Sequence, residues 1–205
     1  MEEKENTAQQ VRDVKRLLRA AMNGPVSQSM REKGLTYRVN FGVELPRLQA
    51  MAEELPHTYA LAAALWKEDV RECRLLAAIL MPTEAFAEDL ADVWVEQMHF
   101  QEEAEWTVLH LFARLPYASA KVFEWLARDD RWTRLCGLLL MGRLLMQGAR
   151  PAPRDVAELI DQAAAELRGT DYTLRQAAYK LLLRLAELGV EEERTVDSIL
   201  EACGV

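Results

Sequence analysis

The sequence predicts an all-α protein, a right-handed α-solenoid of about twelve antiparallel helices. Strand patterns are nearly absent, because runs of Val, Ile and Thr that alternate with polar residues do not occur. Strong helix formers such as Leu, Ala, Glu and Arg predominate instead. Apolar residues recur every three to four positions along most of the chain, which is the pattern of amphipathic helices.

The first predicted helix runs from Asn6 to Met22 and is followed by a loop region. Its apolar positions form one stripe, made of Val11, Val14, Leu17, Leu18 and Met22. Asn23-Gly24-Pro25 ends the helix, because glycine followed by proline is a common helix stop. A short amphipathic stretch, Ser27–Lys33, then leads into a loop that contains Tyr37 and Phe41-Gly42-Val43.

The other predicted helices follow one another through links of about one to five residues. They cover Glu44–Leu55, His57–Lys67, Val70–Met81, Glu84–Met98, Glu102–Arg114, Ser119–Arg128, Arg131–Gln147, Pro153–Arg168, Tyr172–Leu188 and Glu191–Ala202. Thr83 is the expected N-cap of the helix that starts at Glu84. Short links favour antiparallel pairs stacked side by side, as in solenoids of the HEAT or armadillo kind. A plain helical bundle is the alternative, since no strict repeat is present.

Length and composition predict one domain over residues 1–205, with residues 1–36 as an N-terminal helical cap. Half of the 205 residues are hydrophobic, enough for a sizeable core. No apolar run approaches the roughly 18–20 residues of a membrane span, and the N-terminus is too polar for a secretory signal. The three cysteines lack metal-binding or disulfide spacing, so we expect a cytoplasmic protein without metal or cofactor.

The charge of the chain is unevenly distributed. Its net charge of −8 disfavours nucleic-acid binding, which depends mainly on Lys and Arg. Residues 38–105 contain 5 basic and 14 acidic residues, whereas residues 106–185 contain 12 basic and 8 acidic ones. A basic stripe is therefore predicted in the second region, formed by Arg128, Arg131, Arg134, Arg143, Arg175, Lys180 and Arg184. Ordinary solvated helix faces would explain the same charges.

Three segments carry a family resemblance over about Tyr37 to Leu188. The first is Phe41-Gly42-Val43-x-x-Pro46-x-Leu48, followed by Leu65-Trp66 and by Glu72-x-Arg74-x-x-Ala77. The second is Trp132-Thr133-Arg134, and the third is Leu174-Arg175-Gln176-Ala177-Ala178-Tyr179-Lys180. In this order and spacing the segments resemble the bacterial DNA alkylation repair family. The resemblance implies a HEAT-like repeat glycosylase that removes cationic alkylated purines from DNA without flipping them into a pocket.

The positions of the family's cleft are only partly matched. The resemblance implies two tryptophans that grip the lesion and backbone, a catalytic Asp, and an Arg that holds phosphate. Gln101 and Lys180 stand at the tryptophan positions, Glu105 stands at the Asp position, and Arg134 is unchanged. Glu105 is thus the catalytic candidate. The candidate DNA-binding residues are Arg134, Lys180, Arg175, Trp132 and Trp106, the last because it directly follows Glu105.

These replacements predict weak or lost glycosylase activity. A carboxylate stabilises the oxocarbenium-like sugar during base removal, but the extra methylene of Glu105 moves it by about 1 Å, which can cost ~10²-fold. Loss of both tryptophans removes an attraction for cations, and Lys180 repels a cationic base. The sequence therefore predicts a protein that binds duplex DNA, damaged or unusual. The alternative is a non-enzymatic HEAT-repeat scaffold that binds another protein.

Overall fold

The structure is a computed structural model that describes residues 2–204, and in this range it is entirely α-helical apart from turns and loops. Its twelve α-helices are α1 (Glu2–Ala20), α2 (Gly24–Glu32), α3 (Leu45–Glu53), α4 (Tyr59–Trp66), α5 (Arg71–Leu80), α6 (Glu88–Glu96), α7 (Gln101–His110), α8 (Ala118–Leu126), α9 (Arg131–Met146), α10 (Pro153–Leu167), α11 (Tyr172–Ala186) and α12 (Val190–Cys203). Two 3₁₀ turns cover Thr83–Ala85 and Phe112–Arg114. An isolated parallel bridge joins Val39 to Val70, and the described residues form no strand. The all-α prediction is confirmed.

The chain divides between Ala87 and Glu88 into two compact units. Helices α1–α5 belong to the first unit and α6–α12 to the second. The single domain with a cap at residues 1–36 stays a prediction. Within residues 2–204, every helix is too short or too polar to cross a lipid bilayer.

The first unit is held together by a buried polar network that joins two of the motifs described above. The Glu72 carboxylate is fully buried and accepts hydrogen bonds from the backbone N–H groups of Phe41 (3.1 Å) and Val43 (3.2 Å). The neighbouring Arg71, 1% exposed, donates through Nη1 to the Val43 carbonyl oxygen (3.0 Å) and to Glu72 (3.3 Å). The guanidinium of Arg74 lies 4.4 Å from the ring centre of Trp66. These motif residues therefore stabilise the fold.

The second unit stacks helix pairs so that α7, α9 and α11 lie side by side. Helix α8 packs on α9, and α10 packs on α11, each pair being joined by a short link, as in antiparallel helical hairpins. Helix α9 also packs against α7 and α11. It is apolar on most sides, as its buried position among α7, α8 and α11 requires. Gly137 permits the close approach to α8, because a Cβ there would meet the Leu126 side chain at 3.0 Å.

Two helices predicted as continuous are interrupted in the structure, and those two predictions were wrong. Within Glu84–Met98, a 3₁₀ turn precedes α6, and Phe86 between them is extended (φ −95°, ψ 101°) with its side chain buried. Thr83 therefore begins the turn and caps no α-helix. Within Glu102–Arg114, α7 ends at His110, and buried Phe112 packs on Trp125 with ring centres 5.2 Å apart. In both places an aromatic side chain next to the break is buried.

Candidate functional site

A groove with a volume of about 480 Å³ crosses the row of helices α7, α9 and α11 in the second unit. Its floor is largely apolar, and charged side chains lie around it. The charged residues that line it are Glu105, Arg143, Lys180, Arg184 and Glu187. The apolar residues are Val108, Leu109, Leu138, Leu139, Met146, Ala177, Leu181 and Leu183. The groove thus contains the two cleft candidates Glu105 and Lys180, which are far apart in the sequence.

Helix α7 presents Gln101 and Glu105 on one exposed face. The Glu103 carboxylate is buried and accepts hydrogen bonds from the backbone N–H groups of His99 (2.8 Å) and Phe100 (3.4 Å), which fixes the start of the helix. Gln101 Nε2 donates to Glu105 Oε1 (2.8 Å). The Thr173 hydroxyl on α11 donates to Gln101 Oε1 at 3.4 Å. Three of the four positions matched to the family's cleft, those of residues 101, 105 and 180, are therefore close to one another.

Helix α11 is anchored by Asp171, the residue just before its first turn, and it carries Lys180 at the groove. Asp171 caps the helix, since its Oδ1 accepts hydrogen bonds from the N–H groups of Thr173 (2.8 Å) and Leu174 (3.0 Å). Its other oxygen accepts a 2.6 Å hydrogen bond from Arg131 Nε at the start of α9. This bond from Arg131, together with the capped N–H groups, holds the pKa of Asp171 below its usual value despite partial burial. The starts of α9 and α11 are thereby tied together.

The predicted basic stripe separates into paired and unpaired cations. Arg128 binds Glu124 and Asp92, and Arg131 binds Asp171. Arg184 pairs with Glu187 at 2.9 Å on the surface of α11. Among the described residues, no ion pair is formed by Arg143, Lys180 or Arg175, and the last two are exposed. These three cations are the part of the stripe that remains available to an external anion.

Arg134 lies on the α9 stripe that leads into the groove, one turn before Leu138, but its guanidinium has protein partners. Its Nε donates to the Arg128 carbonyl oxygen at 2.8 Å. Its Nη1 lies 2.8 Å from Glu166 on α10, and its Nη2 lies 3.1 Å from Asp129. Asp129 is fully exposed, so that bond is weak and exchangeable, whereas Glu166 is largely buried.

The two candidate tryptophans lie outside the lining of the groove. Trp106 is 7% exposed, and its ring centre lies 4.2 Å from that of His110. Trp132 is partly exposed, and the Arg131 guanidinium covers its ring at 4.4 Å. No aromatic side chain is among the described residues that line the groove.

Sequence reasoning gave no role to His110, which directly follows the groove-lining residue Leu109. His110 follows Leu109 at the end of α7, and its buried Nε2 atom has no hydrogen-bond partner among the residues that the structure describes. The same is true of Arg143 Nε on α9. Burial, and then the nearby charges of Arg114 and Arg143, lower the pKa of His110 below its usual value. Arg143 belongs to the basic stripe that the sequence predicted, whereas no sequence signal pointed to His110.

Comparison with known proteins supports the relationship that the sequence motifs indicated. A family model described as DNA alkylation repair enzyme matches residues 14–201. A solved structure matches with a TM-score of 0.81 over 93% of this chain and 81% of the other chain, at 16% sequence identity. That protein is described as one of a new family related to the HEAT-like repeat DNA glycosylases, with affinity for branched DNA structures. No protein of curated function matches the sequence significantly.

These comparisons establish fold and family on different grounds. At 16% identity, the structural similarity shows a shared fold, and the predicted HEAT-like all-α fold is confirmed. The family model covers nearly the whole chain, including all three motif segments. This chain therefore belongs to the DNA alkylation repair enzyme family.

Proposed function

We propose that this protein binds DNA through the groove between α7, α9 and α11 and has little or no N-glycosylase activity on alkylated purines. The observation that carries the proposal is the joint lining of this groove by Glu105 and Lys180, without an aromatic side chain among the described lining residues. The proposed ligand is duplex DNA of damaged or unusual structure. A branched structure is included, because the structurally similar protein is described as having affinity for branched DNA.

Binding of phosphate is supported by the unpaired cations of the second unit. Lys180 and Arg143 line the groove, and Arg175 is exposed on the same helix as Lys180. A cluster of this kind attracts a polyanion locally even when the net charge of the chain is −8. Glu105 and Glu187 oppose the attraction, but Arg184 already pairs with Glu187. We therefore expect moderate, strongly salt-dependent affinity.

Arg134 and Trp132 belong to the proposed contact surface at the start of α9. Arg134 binds a DNA phosphate when its Nη2 atom exchanges the exposed Asp129 for the phosphate, while its Nη1 atom stays paired with Glu166. Trp132 contributes the part of its ring that Arg131 leaves uncovered. Trp106 would need to leave the core to stack on a base, so its proposed role is to stabilise α7 by packing on the buried side of that helix.

Loss of excision is supported by the surroundings of the Glu105 carboxylate. Cleavage of the glycosidic bond develops positive charge on the sugar, and a fixed carboxylate is most effective when water is excluded. Glu105 is exposed and already accepts a hydrogen bond from Gln101. Lys180 in the same groove repels a cationic base, and no aromatic face in the described lining attracts one. The groove therefore suits phosphate better than a cationic lesion.

The proposal is tested by measuring DNA affinity over a range of salt concentrations. Fluorescence anisotropy with a labelled four-way junction and a linear duplex of equal length gives Kd at each salt concentration. The salt slope, the slope of log Kd against log salt concentration, is about 0.9 for each phosphate that the protein neutralises. Lys180→Ala should weaken binding about threefold to tenfold and lower the slope by about 0.9, one phosphate. Arg154→Ala is the matched control, since Arg154 is exposed on α10 away from the groove. Binding that is absent at low salt, or equal in the two variants, contradicts the proposal.

The scaffold alternative has one specific observation in its favour. Leu109, Met146 and Leu183 line the groove and are 37%, 59% and 41% exposed. An apolar floor of this kind also suits an amphipathic helix of a protein partner. The salt series separates the two functions, because docking driven by apolar contacts persists at salt concentrations that release DNA.

A further inference from the structure

We propose that Arg143 and His110 together form the phosphate-binding subsite of the groove, at the end where α7 stops. This inference rests on the proposed DNA binding and names the side chains that hold the backbone there. Arg143 Nε and His110 Nε2 each donate a hydrogen bond to oxygens of one DNA phosphate group. No motif of the family resemblance includes either residue.

The first support is that two buried polar atoms lie there without partners. Arg143 Nε and His110 Nε2 both lack a hydrogen-bond partner within the described part of the chain. Buried polar groups are nearly always hydrogen-bonded, so an unsatisfied pair indicates a bound water, ion or ligand. In the tautomer that carries its proton on Nε2, neutral His110 is a donor at that atom. The missing group is then an acceptor.

The second support is the local charge, which is positive. Arg143 lines the groove together with Leu109, the residue that precedes His110, and its charge is one of the causes that lower the pKa of His110. Arg114 is the other cation near His110, and its Nη1 donates to the His110 carbonyl oxygen at 3.2 Å. Two cations and a neutral imidazole donor favour an anion over a neutral acceptor.

The third support is that the subsite is connected to the groove and held rigidly. Arg143 lines the groove on α9, and His110 directly follows Leu109, which lines it on α7. The ring of His110 packs against the buried ring of Trp106, with centres 4.2 Å apart. The His110 ring is therefore held in place before a ligand arrives, which lowers the entropic cost of binding.

The test uses the full chain, a labelled four-way DNA junction assembled from four oligonucleotides, and anisotropy over a salt series. Arg143→Gln removes the charge and keeps most of the side-chain length, and Arg154→Gln is the charge-matched control on α10. We expect Arg143→Gln to raise Kd about tenfold and to lower the salt slope by about 0.9, one phosphate. Arg154→Gln should leave both values near those of the wild type.

Two further variants keep the test decisive. Arg143→Lys retains the charge, so it should keep the salt slope of the wild type while losing part of the DNA affinity. It replaces Arg143→Gln in the test if circular dichroism shows that Arg143→Gln folds poorly. His110→Phe retains the ring against Trp106 and should raise Kd about threefold at an unchanged slope. The subsite is wrong if Arg143→Gln binds DNA as Arg154→Gln does, or if His110→Phe binds DNA as the wild type does. Where Arg143→Gln does not fold, Arg143→Lys takes its place in the comparison. Either result would mean that the two unpartnered atoms hold only water. Failure of the wild type itself to bind DNA overturns the proposed function instead.

Discussion

Lys180 on α11 lines the same groove as Glu105 on α7. A cleft that holds a cationic base needs negative charge and aromatic faces around the base. Here an ammonium group occupies the position matched to one cleft tryptophan, and a glutamine that is hydrogen-bonded to Glu105 occupies the other. Both replacements disfavour a cationic lesion, and the Lys180 ammonium also leaves a positive charge available to phosphate.

Lys180→Trp should shift the preference of the groove toward cationic bases. The substitution removes a repulsive ammonium and adds an aromatic face, worth about 0.5–2 kcal/mol for a cation. We expect the ratio of affinities for duplex DNA with and without 7-methylguanine to rise about tenfold. Anisotropy competition with the two duplexes measures this ratio. Lys180→Leu is the control, because it removes the charge without adding an aromatic face. A ratio that is the same in both variants would show that residue 180 does not meet the base.

Asp171→Ala should destabilise the second unit. The substitution removes the N-cap of α11, which costs about 1 kcal/mol, and the ion pair with Arg131, which adds at most about 1 kcal/mol because both side chains are partly exposed. Urea unfolding followed by circular dichroism measures the change. Asp161→Ala is the control, since Asp161 is exposed on α10 and its side chain forms no hydrogen bond or ion pair with the described residues. A loss equal to that of the control would refute the capping role.

The contribution of Asp171 should also depend on pH. Its pKa is lower in the folded protein than in the unfolded chain, chiefly because of the hydrogen bond from Arg131. A carboxylate with a depressed folded pKa stabilises the fold fully above its unfolded pKa of about 3.9, and this stabilisation is lost as the pH falls through the folded value. The difference between wild type and Asp171→Asn in urea unfolding should therefore shrink from pH 7 to pH 3. A constant difference would mean that charge plays no part.

Gly42→Ala should destabilise the first unit severely. Gly42 has φ +72°, and an added Cβ would lie 2.2 Å from the Asn23 carbonyl oxygen, which is backbone and cannot move aside. Strain of a left-handed residue alone costs about 1–3 kcal/mol, and the overlap adds to it. Gly34→Ala is the control, because Gly34 has φ +94° but open space around it. We expect thermal unfolding to show a clearly larger loss at position 42. Equal losses would show that the contact with Asn23 is unimportant.

The sequence was sufficient to predict the fold because helix periodicity is local information. Most predicted helices agree with the structure within a few residues, as for α9, predicted to end at Gln147 and observed to end at Met146. The two breaks at Phe86 and Leu111 were not predictable from periodicity. A buried aromatic side chain lies beside each break, and its burial is tertiary information that periodicity does not contain.

The site was only partly predictable for a related reason. The motif register placed Gln101, Glu105 and Lys180 together, and the structure brings these positions close to one another. The partners of Arg134 and the orphaned atoms of His110 and Arg143 depend on how α7, α9, α10 and α11 pack. Neither spacing nor composition contains that information.

Base release from DNA that the protein demonstrably occupies tests the central claim most directly. Alkylated duplex DNA carrying 3-methyladenine and 7-methylguanine is incubated with enough protein to saturate it at low salt, as checked by anisotropy, and free bases are quantified by chromatography. We expect binding, with base release at the spontaneous rate of DNA without protein. Release well above that rate, abolished by Glu105→Gln, would show that Glu105 retains the chemistry and would contradict the proposed loss of excision.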